Sequence, residues 1–150
     1  MRILLQRVSK ASVQINGTIK GEIGKGLLLF VGIEGEDIYN DIECSIRKIL
    51  NMRIFSDSED KMNLSVKDIT GEILVISQFT LFASTKKGNR PSFKGAALPD
   101  KAIPIYEKFI SILKETSGLI IHTGTFGADM KVNLINDGPV TIWLDSKEKS

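Results

Sequence analysis

Residues 72–82 constrain the fold more than any other stretch. They read Glu-Ile-Leu-Val-Ile-Ser-Gln-Phe-Thr-Leu-Phe, with Ile73, Leu74, Val75 and Ile76 forming an unbroken apolar run behind Gly71. A strand that is apolar on both faces of its pleat must be covered on both faces, so structure has to form on either side of it. The run then turns polar with no turn signal. Ser77, Gln78 and Thr80 stand where the strand is still expected to be inside. A buried polar group left without a partner costs about 1–3 kcal/mol. Two readings are open: these groups satisfy neighbouring backbone, or a core strand delivers them to a ligand pocket.

The rest of the chain has to supply the covering layers. Its 150 residues suit a single domain, 1–150, with a full hydrophobic core. No apolar run approaches the ~20 residues that span a bilayer, so no membrane partner is expected. Gln6 and Arg7 interrupt the first apolar residues too early for a secretory signal. Cys44 is the single cysteine, which excludes an intrachain disulfide and fits a reducing, cytoplasmic setting. Cys44 and the single histidine, His122, leave no His/Cys zinc cluster, and no carboxylate spacing points to an ion. Neither metal nor cofactor is expected.

Strands are expected at 3–8, at 19–23 after the turn pair Asn16-Gly17, and at 27–33. Ile38, Ile42, Ile46, Ile49 and Leu50 recur at helical spacing, with Asp37 and Asp41 near the positive end. Cys44 lies off that stripe and reads as a packed thiol rather than a nucleophile. Short strands are expected at 52–55 and 62–66, the latter from alternation of Met62, Leu64 and Val66 with polar residues. Ala102, Ile105, Tyr106, Phe109, Ile112 and Leu113 mark a second helix, with Pro104 expected in its first turn or kinking it and Gly118 just past its end. A strand is expected at 119–122. A hairpin-like pair, 130–134 and 140–144, is expected around Asn136-Asp137-Gly138-Pro139, with residues 146–150 as a solvated tail. The helices do not alternate strand by strand. The class is therefore α+β: one domain with a mostly antiparallel, barrel-like sheet and two amphipathic helices.

Charge is informative only locally. Residues 84–94 hold Lys86, Lys87, Arg90 and Lys94 and no acid, whereas the remainder has more acids than bases. Gly88 and Pro91 make this stretch a loop. Such a loop is either simply solvated or contacts phosphates.

The strings Ser77-Gln78-Phe79-Thr80-Leu81 and Asn136-Asp137-Gly138-Pro139-Val140-Thr141 resemble those of the D-aminoacyl-tRNA deacylases, also called D-tyrosyl-tRNA deacylases. The resemblance runs nearly end to end, through Gln6-Arg7-Val8, Lys61-Met62-Asn63-Leu64, Lys87-Gly88-Asn89-Arg90-Pro91-Ser92-Phe93 and Phe126-Gly127-Ala128-Asp129-Met130. One departure is Ala83-Ser84-Thr85, where many members carry an acidic residue. The resemblance implies hydrolysis of the ester joining a D-amino acid, or glycine, to the 3′ end of tRNA, with rejection of L-aminoacyl-tRNA. It implies Ser77, Gln78, Phe79 and Thr80 as catalytic residues, and Gly138, Pro139 and Met130 in substrate binding and chiral selection. Lys86, Lys87 and Arg90 would bind tRNA. It further implies a cytoplasmic homodimer in which a cis Gly138-Pro139 step from a second copy completes each active site.

Ester hydrolysis needs an attacking oxygen, a stabilised oxyanion and proton traffic. His122 has no partners spaced for a nucleophilic triad, and Thr80 has no activating base in sequence. A scheme without a side-chain base follows, in which the hydroxyl beside the ester on the terminal ribose positions water or carries a proton. Backbone N–H groups around Phe79 and Thr80 would hold the oxyanion. The competing classes are a non-catalytic RNA-binding β-domain and a dimeric structural protein. Neither accounts for Ser77, Gln78 and Thr80 together with the Gly-Pro string.

Overall fold

The structure, a computed structural model, describes residues 1–148. Among the described residues, eight strands and two α-helices follow one another as β1 (Arg2–Ile15), β2 (Thr18–Ile23), β3 (Gly26–Gly32), α1 (Tyr39–Asn51), β4 (Phe55–Ser56), β5 (Met62–Leu64), β6 (Glu72–Ser77), α2 (Pro99–Ser117), β7 (Ile121–Thr123) and β8 (Lys131–Asp145). A 3-10 helix, Phe79–Phe82, follows β6.

The strand order is β2-β1-β3-β6-β7, with β8 along the other edge of β1. β1 pairs antiparallel with β3 through Arg2–Val8 and with β2 from Ala11 on, while β8 accompanies it from Arg2 to Gln14. β3, β6 and β7 are parallel neighbours. β2 comes round to touch β6 and β7, so the mixed sheet is nearly closed. The α+β, barrel-like class holds.

The period of two in β6 explains its unbroken apolar run. Ile73 and Val75 join Ile3, Leu5, Leu27, Leu29 and Val31 in a core shared with both helices. Leu74 and Ile76 point the other way, joining Val8, Ala11, Val13, Ile23 and Leu28 inside the curled sheet. Ile42, Ile46, Ile49 and Leu50 of α1 and Ala102, Tyr106, Phe109 and Leu113 of α2 cover the first core, as their helical spacing requires.

Several expectations are corrected. The strand expected at 3–8 continues to Ile15, up to the turn expected at Asn16-Gly17. The helices do lie between successive parallel strands, α1 between β3 and β6 and α2 between β6 and β7, because a parallel connection needs a crossover. The strand expected at 52–55 is only Phe55–Ser56, and the one at 62–66 ends at Leu64. There Ser65 and Asp68 trade hydrogen bonds, Ser65 N to Asp68 Oδ2 at 2.8 Å and Asp68 N to Ser65 Oγ at 3.1 Å, which closes a turn. α2 starts earlier than its apolar stripe, so Pro104 falls in the second turn. The strand at 119–122 is Ile121–Thr123.

The largest correction concerns β8. No hairpin forms around Gly138-Pro139. Residues on both sides pair with β1, Gln6 with Thr141 and Val8 with Asn136, so Asp137, Gly138, Pro139 and Val140 bulge out opposite Arg7. Alternation before and after the interruption reflects one strand meeting one neighbour twice. The expected solvated tail also begins with anchored residues. Ser146 N donates to Met1 O at 2.9 Å, and Lys147 Nζ lies 2.8 Å from Asp41 Oδ2. Residues 149–150 of that tail lie outside the described residues.

Candidate active site

β6 stops at Ser77, sooner than the sequence suggests. Gln78 N still donates to Val31 O of β3 at 2.8 Å, and then Phe79–Phe82 coil into the 3-10 helix. Gly32 at the end of β3 makes room for this turn: a Cβ there would stand 2.9 Å from Gln78 O and 3.2 Å from Leu81 Cβ. Thr80 is therefore not inside a strand. Ser77 and Gln78 are half-buried, Phe79 and Thr80 exposed. The desolvation problem posed by the sequence is relieved by bringing the polar residues to the surface at the strand's carboxyl end.

A pocket of about 250 Å³ opens there. Ser77, Gln78 and Phe79 form one wall, Val31 and Ile76 line the sheet side, Ala102 comes from α2, and Phe126 and Met130 close the far side. Tyr106, one turn beyond Ala102, supports this wall from below. Its hydroxyl donates to Val75 O at 3.4 Å, and its ring lies 5.7 Å from that of Phe126. Burial pushes the Tyr106 hydroxyl up to about 12, so it stays protonated and structural.

Backbone donors also stand beside this pocket. Gln78 N and Leu81 N are taken by Val31 O and Gln78 O, but among the described residues no acceptor takes the N–H of Phe79 or of Thr80. The Thr80 hydroxyl is itself engaged by the Gln78 side-chain amide. Neither Thr80 nor His122 lines the pocket. Among the described residues no group of three His, Cys, Asp or Glu side chains could hold a metal ion.

Of the residues singled out from sequence, Ser77, Gln78, Phe79 and Met130 meet at this pocket. Gly138 and Pro139 do not line it; with Asp137 they are exposed on the β8 bulge. Their peptide bond is cis, and Gly138 has φ +121°. The bulge is pinched at its base: Asn136 Oδ1 accepts Val140 N at 3.1 Å, and Asn136 Nδ2 donates to Thr141 Oγ1 at 2.8 Å. Arg7 secures it. Its Nε donates to Asp137 O at 3.1 Å and lies 3.6 Å from the Asp137 carboxylate, while Nη1 donates to Ile54 O at 2.6 Å. A Cβ on Gly138 would fall 2.6 Å from Arg7 Nη2. Arg7 was recoverable only as part of the Gln6-Arg7-Val8 string, because nothing local marks a residue that acts across a sheet.

Lys86, Lys87 and Arg90 lie apart from the pocket lining, on an exposed loop closed by a bridge between Ser84 and Ser92, with N–H to O distances of 2.7 and 2.9 Å. Among the described residues none of the three forms an ion pair with a carboxylate.

Comparison with known proteins bears on this arrangement. Residues 4–145 match the family model described as D-Tyr-tRNA(Tyr) deacylase. The chain is 58% identical over 149 residues to a D-aminoacyl-tRNA deacylase of Flavobacterium johnsoniae, covering 99% of each. It is 56% identical, with the same coverage, to the D-aminoacyl-tRNA deacylase of Azobacteroides pseudotrichonymphae. Among solved structures, one named c-Myc DNA Unwinding Element Binding Protein superposes with a TM-score of 0.94 at 42% identity, over 99% of this chain and 100% of that one. Another, described as a probable eukaryotic D-amino acid tRNA deacylase, shares the fold with a TM-score of 0.80 at 17% identity, over 95% and 97% of the two chains.

Proposed function

Since this chain belongs to the D-Tyr-tRNA(Tyr) deacylase family and is a D-aminoacyl-tRNA deacylase, an ester hydrolase, we propose that it releases D-amino acids and glycine from tRNA while rejecting L-aminoacyl esters. The observation that carries the reading of the site is the unpaired N–H of Phe79 and of Thr80 at the end of β6, beside a pocket with no nucleophile–base pair in its lining.

The acylated end of the tRNA enters the pocket formed by Ser77, Gln78, Phe79 and Met130. The ribose hydroxyl next to the ester positions the attacking water and carries its proton. The amides of Phe79 and Thr80 receive the developing oxyanion, as preorganised donors do in other acyl transfers. Thr80, tied to the Gln78 amide, helps to shape the wall rather than attacking the ester. Thr80→Ala is accordingly expected to retain turnover; an acyl-Thr80 adduct, or loss of turnover with binding intact, would overturn this scheme.

Chiral selection comes from the Gly138-Pro139 bulge of a second copy. A rigid backbone step held near the α-carbon blocks an L side chain by steric clash, admits a D side chain and cannot exclude glycine. The support for a homodimer is geometric: the pocket lacks Gly138 and Pro139 from its own chain, yet the bulge carrying them is exposed and braced by Arg7. Lys86, Lys87 and Arg90 contact tRNA phosphates, and the enzyme works in the cytoplasm.

The decisive experiment is a deacylation assay in metal-free buffer with D-, L- and glycyl-tRNA. Release of the D-amino acid and glycine but not the L-amino acid supports the proposal. Equal release of L overturns the chiral reading. Binding without release would leave a nucleic-acid-binding module, a role consistent with the name of the 42% identical solved structure.

A further inference from the structure

Two large aromatic side chains remain exposed beside the pocket although the fold has cores to bury them in. Phe79 is 57% exposed and Phe93 is 37% exposed. Their rings meet edge to face, with centroids 5.2 Å apart and planes at 77°. Such a pair covers only one face of one ring, which leaves aromatic faces open to a third flat group. Phe82 and Trp143 differ, because Arg2 already lies over Phe82 at 4.5 Å and near Trp143 at 5.7 Å.

The position of the pair says what that third group is. Phe79 lines the pocket, and Phe93 directly follows the Ser84–Ser92 bridge that closes the basic loop. One end of the pair thus borders the reacting centre and the other borders Lys86, Lys87, Arg90 and Lys94, with no acid among residues 84–94. Aromatic faces next to a cationic track are how proteins hold single-stranded nucleic acid without reading its sequence. A purely apolar ligand would not need the cations, and a free phosphate would not need the rings.

We propose that Phe79 and Phe93 form a stacking platform for an unpaired base at the substrate's 3′ end, with the 84–94 loop taking the phosphates that lead away from it. This rests on the deacylase reading above and adds a determinant of affinity that the amino-acid pocket does not contain. Stacking acts on ground state and transition state alike, so its loss raises KM and leaves kcat in place.

The test uses Phe93, which lies outside the pocket lining. Phe93→Leu is expected to raise KM for D-aminoacyl-tRNA about tenfold, within the range seen when a stacked aromatic is lost, with kcat unchanged. Phe93→Trp should restore KM, since it returns an aromatic face. The D-aminoacyl ester of adenosine alone identifies the base. If its KM also rises in Phe93→Leu, the terminal adenine stacks; if only the tRNA substrate is affected, the preceding base does. Unchanged KM on both substrates, or failure of Trp to rescue, overturns the platform. Failure of the wild-type protein to hydrolyse either D-ester would instead overturn the deacylase reading.

Discussion

At the scale of single residues, Gly138 and Arg7 behave as one device. Gly138 sits at φ +121°, a conformation costly for L side chains by about 1–3 kcal/mol, and an added Cβ would strike Arg7 Nη2 at 2.6 Å. Gly138→Ala should therefore displace the guanidinium or the bulge, and D-substrate hydrolysis is expected to fall at least about tenfold. Arg7→Lys exchanges a fork of donors bridging Asp137 O and Ile54 O for a single ammonium, with an expected loss of similar size. Because both changes disturb the same contact, the double variant should be less damaged than independent effects would give. Kinetics on the two single variants and the double variant check this; simple additivity would mean that Arg7 supports the bulge independently of Gly138.

At the scale of elements, the junction of β3 with β6 leaves no room for a side chain at its start. Gly26 pairs with Glu72, and a Cβ at Gly26 would fall 1.8 Å from Glu72 O and 2.7 Å from Glu72 N. Backbone cannot yield here as a flexible side chain would. Gly26→Ala is expected to cost about 3 kcal/mol, read as a lower denaturant midpoint, because it prises β6 from β3 and moves Ser77 and Gln78 with it. An unchanged midpoint would refute this register. The same elements show what local pattern carries. The stripes of α1 and α2 and the Asn16-Gly17 hairpin were legible because their spacing is dictated by each element's own period. The single course of β8 was not, since alternation on either side of a bulge looks the same whether two strands pair with each other or both with a third.

At the scale of the whole molecule, an ionic cluster ties α1 to residues near both termini. The Met1 ammonium contacts the buried Asp37 carboxylate and Ser146 Oγ, and Lys147 bridges Asp37 and Asp41. Burial pushes the Asp41 carboxyl up, but the Lys147 ammonium, the Ile38 N–H and the Ser146 hydroxyl outweigh it and hold it down at about 2. A carboxyl lowered by folding contributes stability above its unfolded value near 4, and that contribution is lost as pH falls toward 2. With Lys147 partly exposed and screened, the contribution is on the order of 1–2 kcal/mol. Asp41→Asn should flatten the acid limb of stability between pH 4 and 2, measured by denaturant titration; an unaltered limb would remove Asp41 from it. Oligomeric assembly has its own test. Ala128→Arg obstructs the pocket, so mixing and re-equilibrating that variant with Gly138→Ala should regenerate up to about a quarter of wild-type activity, if each site draws on two chains. No recovery would mean that each chain builds its site alone. What sequence alone determined is what local periodicity and short strings encode: a doubly covered β6, two helices, an α+β class and the family resemblance. Only the tertiary structure decided that β6 ends before Thr80, that Arg7 braces the bulge across the sheet, and that the expected hairpin is one strand running along β1. These depend on contacts between residues distant in sequence, which no local pattern records.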